Sequence, residues 1–256
     1  MGSALITGAS SGIGKAFAYR LAQEGNDLVL VARNENALND IADDIRKSYG
    51  VRVHVSRADL STNAGCAQVE KCLTSKRYPI GLLVNNAGFG LGQDFVCGDI
   101  EKEEAALNVM VKAVMRLSYR AACEMKKRGH GAIINISSMT ALTAQGTYSA
   151  HKAWVKTFSE GLAEELRSTG VRVVAVCPGL VRSEFHQRSG VDASQWANFT
   201  FTAPECVVAE ALDAVRHERV LVTPTILYKT IGAGLKIAPR WLVRSIAGPS
   251  RSGRAT

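Results

Sequence analysis

The chain has 256 residues, 46% of them hydrophobic and 21% charged, which suits one folded α/β domain with a sizeable core and excludes disorder along its whole length. Its formal net charge is +8, but Lys229, Lys236, Arg240, Arg244, Arg251 and Arg254 fall in residues 226–256, a stretch without Asp or Glu. The body before that stretch is nearly balanced, which argues against a nucleic-acid-binding face.

Short apolar, β-branched runs alternate with helical patterns along the chain. A strand over residues 3–7 leads into a helix over 12–24, then a strand over 27–32 and a helix over 35–48. A strand over 51–56 precedes a helix over 63–75, and a strand over 80–85 precedes one long helix over 101–127. A strand over 132–137 precedes a helix over 148–168; strands over 171–177 and 219–222 flank a helix over 204–216. Several runs, such as "LVLVA" and "VVAVC", are apolar nearly throughout, as strands read when both faces of a sheet are covered. The fold class is therefore α/β: a Rossmann-like, doubly wound, seven-stranded and mostly parallel sheet with helices on both faces. Residues 1–225 read as this domain, and 226–256 as its basic, apolar C-terminal extension. Residues 182–202 carry little periodicity and are expected to form a loop or short helical insert with a lid's role.

The first strand ends in "TGASSGIGKAF", with Gly8, Gly12 and Gly14 just before a helix. A glycine turn lets the backbone approach a pyrophosphate, and the helix behind it presents its free N–H groups and positive dipole end. The spacing is not GxGxxG; a tight turn without a ligand is the plain alternative, and the position at the first strand–helix junction favours the dinucleotide. The second strand ends in Ala32 and Arg33, where an NAD-binding protein usually places an acid for the ribose diol. A guanidinium there favours a 2′-phosphate, so NADP(H) is the expected cofactor.

Tyr148 and Lys152 are four residues apart on a predicted helix and share a face. An ammonium beside a phenol stabilises the phenolate and suits the tyrosine to acid/base work. The pair alone is a weak signal. Its context is the convergence of strand ends: Asn85, Asn86, Ala87 and Gly88 after the fourth, Ser137 and Ser138 after the fifth, Pro178 and Gly179 after the sixth. Ligands of a doubly wound sheet bind beyond those carboxyl ends.

The motifs "TGASSGIG", "NNAG", "SS", "YSAHK" and "PGLVRS", in this order, resemble the short-chain dehydrogenase/reductase (SDR) family. The likeness spans residues 4–222 and is nearest to its ketoacyl-reductase-like branch. It implies an oxidoreductase with Tyr148 as catalytic acid/base, Lys152 lowering its pKa and holding the nicotinamide ribose, Ser138 on the substrate oxygen, and Asn108 supporting a water-linked proton relay. It also implies cofactor contacts from Gly8, Ser10, Ser11, Gly12, Ile13 and Gly14, from Arg33, Asp59 and Leu60, and from Asn86, Ala87 and Gly88. Tyr148, Lys152, Pro178, Gly179, Val181 and Ser183 complete that set, with Ser183 standing where the family usually has Thr. The gap from Ser138 to Tyr148 is short for the family. Strand alternation lets only one of Ser137 and Ser138 face the site, and Ser138, at the strand exit, is the expected one. The implied substrate is a ketone, possibly a ketoacyl or other lipid-like compound, reduced to a secondary alcohol. A non-catalytic dinucleotide-binding regulator has no use for a tuned phenol, and an NAD-linked alcohol dehydrogenase calls for an acid at position 32 or 33.

The remaining features read plainly. Cys66, Cys72, Cys97, Cys123, Cys177 and Cys206 form no CxxC pair and are expected to be reduced, buried fillers in a cytoplasmic protein. His54, His130, His186 and His217 lack metal-ligand spacing, so no metal is expected; His151 is expected on another helix face from Tyr148, in packing or solvent. No secretory leader is expected, no apolar run reaches the roughly 18 residues of a membrane span, and Ile6 stands where a myristoylation motif needs Ser or Thr. The apolar helices around Met110 and Met115 and around Tyr148 suggest a homodimer or homotetramer. The tail "ILYKTIGAGLKIAPRWLVRSIAG", interrupted at Pro239, is expected to cover the substrate pocket or a neighbouring subunit; peripheral contact with an anionic membrane ranks second.

Overall fold

A computed structural model describes residues 2–182 and 196–248. Its centre is one seven-stranded sheet in the order β3-β2-β1-β4-β5-β6-β7, with every neighbouring pair parallel. The strands are β1 (Ser3–Thr7), β2 (Asp27–Ala32), β3 (Val53–Arg57), β4 (Ile80–Asn85), β5 (Gly131–Ile136), β6 (Val171–Val176) and β7 (Leu221–Val222). The order reverses between β1 and β4, so the chain ends of these two strands part and leave a crevice.

Side-chain alternation divides the core. Ile6, Leu28 and Leu30 turn toward α1 (Gly12–Gln23), α2 (Glu35–Tyr49) and, near the far edge, α7 (Pro204–Arg216), meeting Phe17, Leu38 and Val207. Leu5, Val29 and Leu83 turn the other way, with Val69 of α3 (Asn63–Leu73) and Leu117 and Met125 of α5 (Val114–Arg128). One-residue alternation thus explains why the strands are apolar throughout: each face has its own helical layer.

The long helix expected over 101–127 is three pieces. α4 (Ile100–Leu107) runs into a single π-helical turn (Asn108–Ala113), and α5 follows. The apolar spacing continues smoothly through the break, and no Gly or Pro marks it, so periodicity alone reads one helix. The π turn packs against α6 (Thr147–Glu165) and begins at Asn108; such turns recur at functional sites. The extension forms α8 (Ile226–Ile237) and α9 (Arg240–Ile246), parted at Ala238 and Pro239. The expectation of buried cysteines holds for Cys66 and Cys177 but not for Cys97 and Cys206, which are exposed because one lies in the loop before α4 and the other on the outer side of α7's first turn. All six are free.

A buried polar chain crosses the apolar layer. The Asn85 amide donates to Ser118 Oγ (3.0 Å) and to Asn135 Oδ1 (2.9 Å). Asn135 in turn donates to Ser159 Oγ (2.9 Å), which donates to the Val155 carbonyl (2.7 Å). This chain ties β4, α5, β5 and α6 together just behind the strand exits. Fully satisfied, it fixes a unique register; broken, it strands desolvated donors. Asn135→Ala is expected to lower stability by about 2–4 kcal/mol in urea unfolding with an unchanged m-value. A loss within about 0.5 kcal/mol of zero would show that the network is not holding the layers.

Candidate active site

At the β1 exit the glycine turn is shaped by contact rather than by flexibility alone. Gly8 has φ +66°, and a β-carbon there would sit 2.9 Å from Asn86 Nδ2 and 3.0 Å from Ala87 Cα. A β-carbon on Gly14 would lie 2.2 Å from the Gly8 carbonyl oxygen. The turn is in turn clamped to the β4 exit. Thr7 Oγ1 accepts from the backbone N–H groups of Asn86 and Ala87 (both 3.0 Å), and the Asn86 amide donates to the carbonyls of Thr7 (2.9 Å) and Gly8 (3.2 Å). The side chain of Asn86 therefore shapes the turn. α1 starts with no acidic residue in its first turn and no side-chain cap. Ser10, Ser11, Gly12 and Ile13 form the half-buried lip. A backbone bared of β-carbons, facing an uncapped helix start, is the cradle that a pyrophosphate fits.

At the β5 exit the two serines divide their work. Ser137 Oγ donates to the Lys152 carbonyl (2.7 Å), which turns it into α6. Ser138 is hydrogen-bonded through its side chain to Tyr148, and its Oγ accepts from Thr140 N–H (3.1 Å). Alternation thus leaves Ser138 facing the tyrosine. The short loop between them is pinned rather than loose. Ser149 Oγ lies 3.0 Å from Thr143 Oγ1 and accepts from Gln145 N–H (3.1 Å). From the extension, Arg240 Nη1 donates to the Leu142 carbonyl (3.1 Å) and the Ala247 carbonyl accepts from Ala144 N–H (3.2 Å).

Lys152 is buried, and its Nζ donates to the Ile136 carbonyl (2.8 Å) from a position 5.6 Å from the Tyr148 ring centre. Gly88 is kept bare beside it: a β-carbon would lie 3.5 Å from that Nζ. Burial drives both groups toward their neutral forms. It raises the Tyr148 phenol above its usual range, against the lowering effect of the Ser138 hydrogen bond, and it lowers Lys152 to about 8. The expected lowering of the phenol by Lys152 is corrected here: burial holds Tyr148 above its usual range, and the neighbour that lowers it is Ser138.

Asn108 stands half-buried at the head of the π turn. Next to it are residues that the sequence reading passed over. Glu103 is buried; its Oε2 accepts from Thr147 Oγ1 (2.6 Å) and its Oε1 from Gln93 (3.2 Å), fastening α4 to the start of α6. His151 is buried with Nδ1 lacking a hydrogen-bond partner, and desolvation lowers its pKa. Packing was one of its two expected settings.

At the β6 exit Pro178 is buried and Gly179 half-buried. The Tyr228 ring lies on Gly179, where a β-carbon would be 2.0 Å from Cζ. Tyr228 Oη donates to the Thr200 carbonyl (2.8 Å) and accepts from Leu180 N–H (3.0 Å). Val181 is bridged to Thr202, and residues 183–195 of the expected lid, Ser183 among them, lie outside the described residues. A cavity of about 290 Å³ beside Ser138 is walled by Met139, Cys177 and Lys156 and by Lys229, Gly232 and Lys236 of α8. The extension therefore packs over the β6 exit and borders this cavity.

The far end of the crevice carries Arg33, exposed after β2, with Asp59 and Leu60 after β3. Although burial opposes it, the backbone and side-chain hydrogen bonds from Ser61, with the nearby charge of Arg33, hold the Asp59 carboxyl below its usual range. The register adds a residue that no motif marks: Arg57 pairs with Ala32 and is also exposed, a second guanidinium on the strand beside Arg33. Among the described residues no group of three His, Cys, Asp or Glu could hold a metal ion, and no helix is long and apolar enough to cross a membrane.

Residues 3–193 match the family model for short chain dehydrogenases. The chain belongs to that family. SDR membership is supported by solved structures: a short-chain dehydrogenase from Sphingobium yanoikuyae in complex with NADPH is 34% identical, superimposes with a TM-score of 0.85, and is covered over 99% of its length by 100% of this chain. An SDR from Burkholderia phymatum in complex with NAD is 25% identical, with a TM-score of 0.79 and 92% of each chain covered. The very-long-chain 3-oxoacyl-CoA reductase of Mus musculus is 30% identical over 98% of this chain and 80% of its own length. This protein is therefore an oxidoreductase of SDR type, built to bind a dinucleotide and a small-molecule substrate.

Lys152 gives the SDR site a stability signature. Its pKa falls from 10.5 in the unfolded chain to about 8 in the native one. Between those values the unfolded chain holds more protons, so native stability rises with pH through that window, and below it the full cost of burying the ammonium remains. Lys152→Met is expected to be more stable than the wild type at pH 7, by on the order of 1–3 kcal/mol, with the gain shrinking as pH approaches 10. Thermal unfolding across that range checks it; a destabilised variant at pH 7, or a gain that is flat with pH, would show that the buried ammonium is not the strained group.

Proposed function

We propose that this SDR is an NADPH-dependent reductase that converts a ketone, of the ketoacyl or another lipid-like class, to a secondary alcohol. The observation that carries the reading is the hydrogen-bonded pair of Ser138 and Tyr148 at the β5 exit, with the Lys152 ammonium beside the tyrosine ring. The dinucleotide, when bound, supplies the hydride. The glycine turn and the start of α1 would hold its phosphates, and Lys152, Asn86 with Ala87 and Gly88, and Pro178, Gly179 and Val181 would line its ribose and nicotinamide end.

The chain's own side chains handle the proton. Burial keeps Tyr148 protonated, so it is a proton donor in the reductive direction. The Ser138 hydroxyl donates to the same substrate oxygen and stabilises the negative charge that grows there. Once the proton has left, the Lys152 ammonium stabilises the phenolate, and Asn108 on the π turn supports the water path that restores it. The oxidation of an alcohol retraces these steps, and the cellular cofactor ratio sets the direction.

NADPH is favoured over NADH by Arg33 and Arg57 side by side at the β2 and β3 exits, where a 2′-phosphate would meet two guanidinium groups while Ser61 engages the nearby Asp59 carboxylate. An apolar substrate is favoured by likeness to an oxoacyl-CoA reductase and by Met139 and Leu142 in the cavity beside Ser138. Free cysteines throughout agree with a cytoplasmic setting. Exposed Leu107, Met115 and Tyr119 at four- and eight-residue spacings, with the stacked Trp154 and Phe158 of α6, form the face on which we place a second copy in a homodimer or homotetramer; a monomer mass in light scattering at every concentration would remove it.

Screening a panel of ketones for NADPH oxidation tests the function. Tyr148→Phe is expected to lower kcat by at least about a hundredfold while NADPH affinity stays within a few-fold. Replacing Arg33 and Arg57 by Ala is expected to weaken NADPH by about tenfold or more and leave NADH unchanged. Turnover that survives in Tyr148→Phe would overturn the mechanism, and tighter NADH than NADPH binding in the wild type would overturn the cofactor.

A further inference from the structure

The inner and outer sides of the extension differ in chemistry. Inward, Tyr228 and Gly232 of α8 are buried against Gly179 and Met139, and Val243 of α9 is fully buried. Outward stand Ile226, Leu227, Ile231 and Ile237 of α8 and Trp241 and Ile246 of α9; Ile226 is 79% exposed, Ile237 86% and Trp241 63%. Exposed with them are Lys236, which also borders the cavity beside Ser138, Arg240, which also donates to the Leu142 carbonyl, and Arg244. Among the described residues none of these three cations makes an ion pair, whereas Lys229 reaches Glu210 at 3.7 Å. Residues 226–256 contain no acid at all.

We propose that this outer surface of α8 and α9 docks the enzyme on an anionic lipid bilayer. Short helices of 12 and 7 residues, broken at Pro239, cannot cross a membrane, but they can lie in its plane. There the isoleucines enter the acyl boundary, Trp241 sits at headgroup level, and the cations meet lipid phosphates. Charge decides against a second copy of the chain as occupant. A two-fold contact would set Lys236, Arg240 and Arg244 against the same set, without a carboxylate between them. An anionic surface complements them. The consequence for the enzyme is positional: the helix that rests on lipid on one side holds the β6 exit through Tyr228 on the other. The docking stands apart from the catalytic reading, and its readout needs no turnover.

The test is co-sedimentation of the full chain with vesicles of phosphatidylcholine alone and of phosphatidylcholine mixed with phosphatidylglycerol. The chain is expected to sediment with the anionic vesicles, weakly with the zwitterionic ones, and less as salt rises. Lys236→Gln and Arg244→Gln are expected to weaken binding by about fivefold each. Ile237→Glu with Trp241→Glu is expected to abolish it, with thermal unfolding and NADPH affinity unchanged. Absence of sedimentation, equal binding to both vesicles, or wild-type binding by the Ile237→Glu, Trp241→Glu chain would overturn the proposal. So would light scattering in which those two substitutions dissolve a dimer, since the face would then join copies of the chain.

Discussion

The site depends on one buried cation. Lys152 reaches from α6 to the last carbonyl of β5, and its own carbonyl takes the Ser137 hydroxyl. These two bonds lock the helix that carries Tyr148 to the strand that carries Ser138. They act together with the bonds of Ser149, Arg240 and Ala247 that pin the loop between the two residues. Holding a charge there is costly, and the cost shows in the lowered pKa of the lysine. A folded chain that retains such a group at the end of its sheet has given up stability for a chemical purpose.

The remainder of the crevice follows from the switch in strand order. Because β1 and β4 part company at their carboxyl ends, the glycine turn and the Asn86 loop meet there and are fastened by Thr7. Rigid backbone, rather than charged side chains, would face the phosphates of a dinucleotide, which suits an anion held at a helix start. Charge is reserved for the far end, where Arg33 and Arg57 lie on neighbouring strands. The buried Asn85–Asn135–Ser159 chain sits directly behind these exits and keeps the helices on that face from sliding.

The fold was legible because each strand is an apolar run closed by Gly, Asn, Ser or Pro, and because strands and helices alternate strictly. The glycine turn and the Tyr148–Lys152 pair were legible for local reasons: tight spacing in one case, one helical turn in the other. What was hidden depends on contacts between distant segments. Arg57 carries no motif and is placed beside Arg33 only by the β2–β3 register. The break at Asn108 leaves the apolar period intact. Tyr228 is one aromatic residue in an amphipathic tail until Gly179 is seen beneath its ring. The choice between Ser137 and Ser138 was set by alternation, but what Ser137 does instead, binding the Lys152 carbonyl, needed α6 in place. The pKa of the phenol was misjudged because sequence shows a neighbour's charge and not the water that burial removes.

The extension joins these threads. It closes the β6 exit from outside, pins the loop between Ser138 and Tyr148 through Arg240 and Ala247, and presents a cationic, apolar surface to its surroundings. The proposed reaction at these strand exits is direct reduction of a carbonyl carbon. The measurement that tests it most directly is a single turnover with NADPH deuterated at the transferred position of nicotinamide C4 and a ketone the enzyme accepts, with the product analysed by mass spectrometry. The account predicts deuterium on the carbinol carbon and a solvent proton on its oxygen. Product alcohol that carries solvent hydrogen on carbon would contradict it.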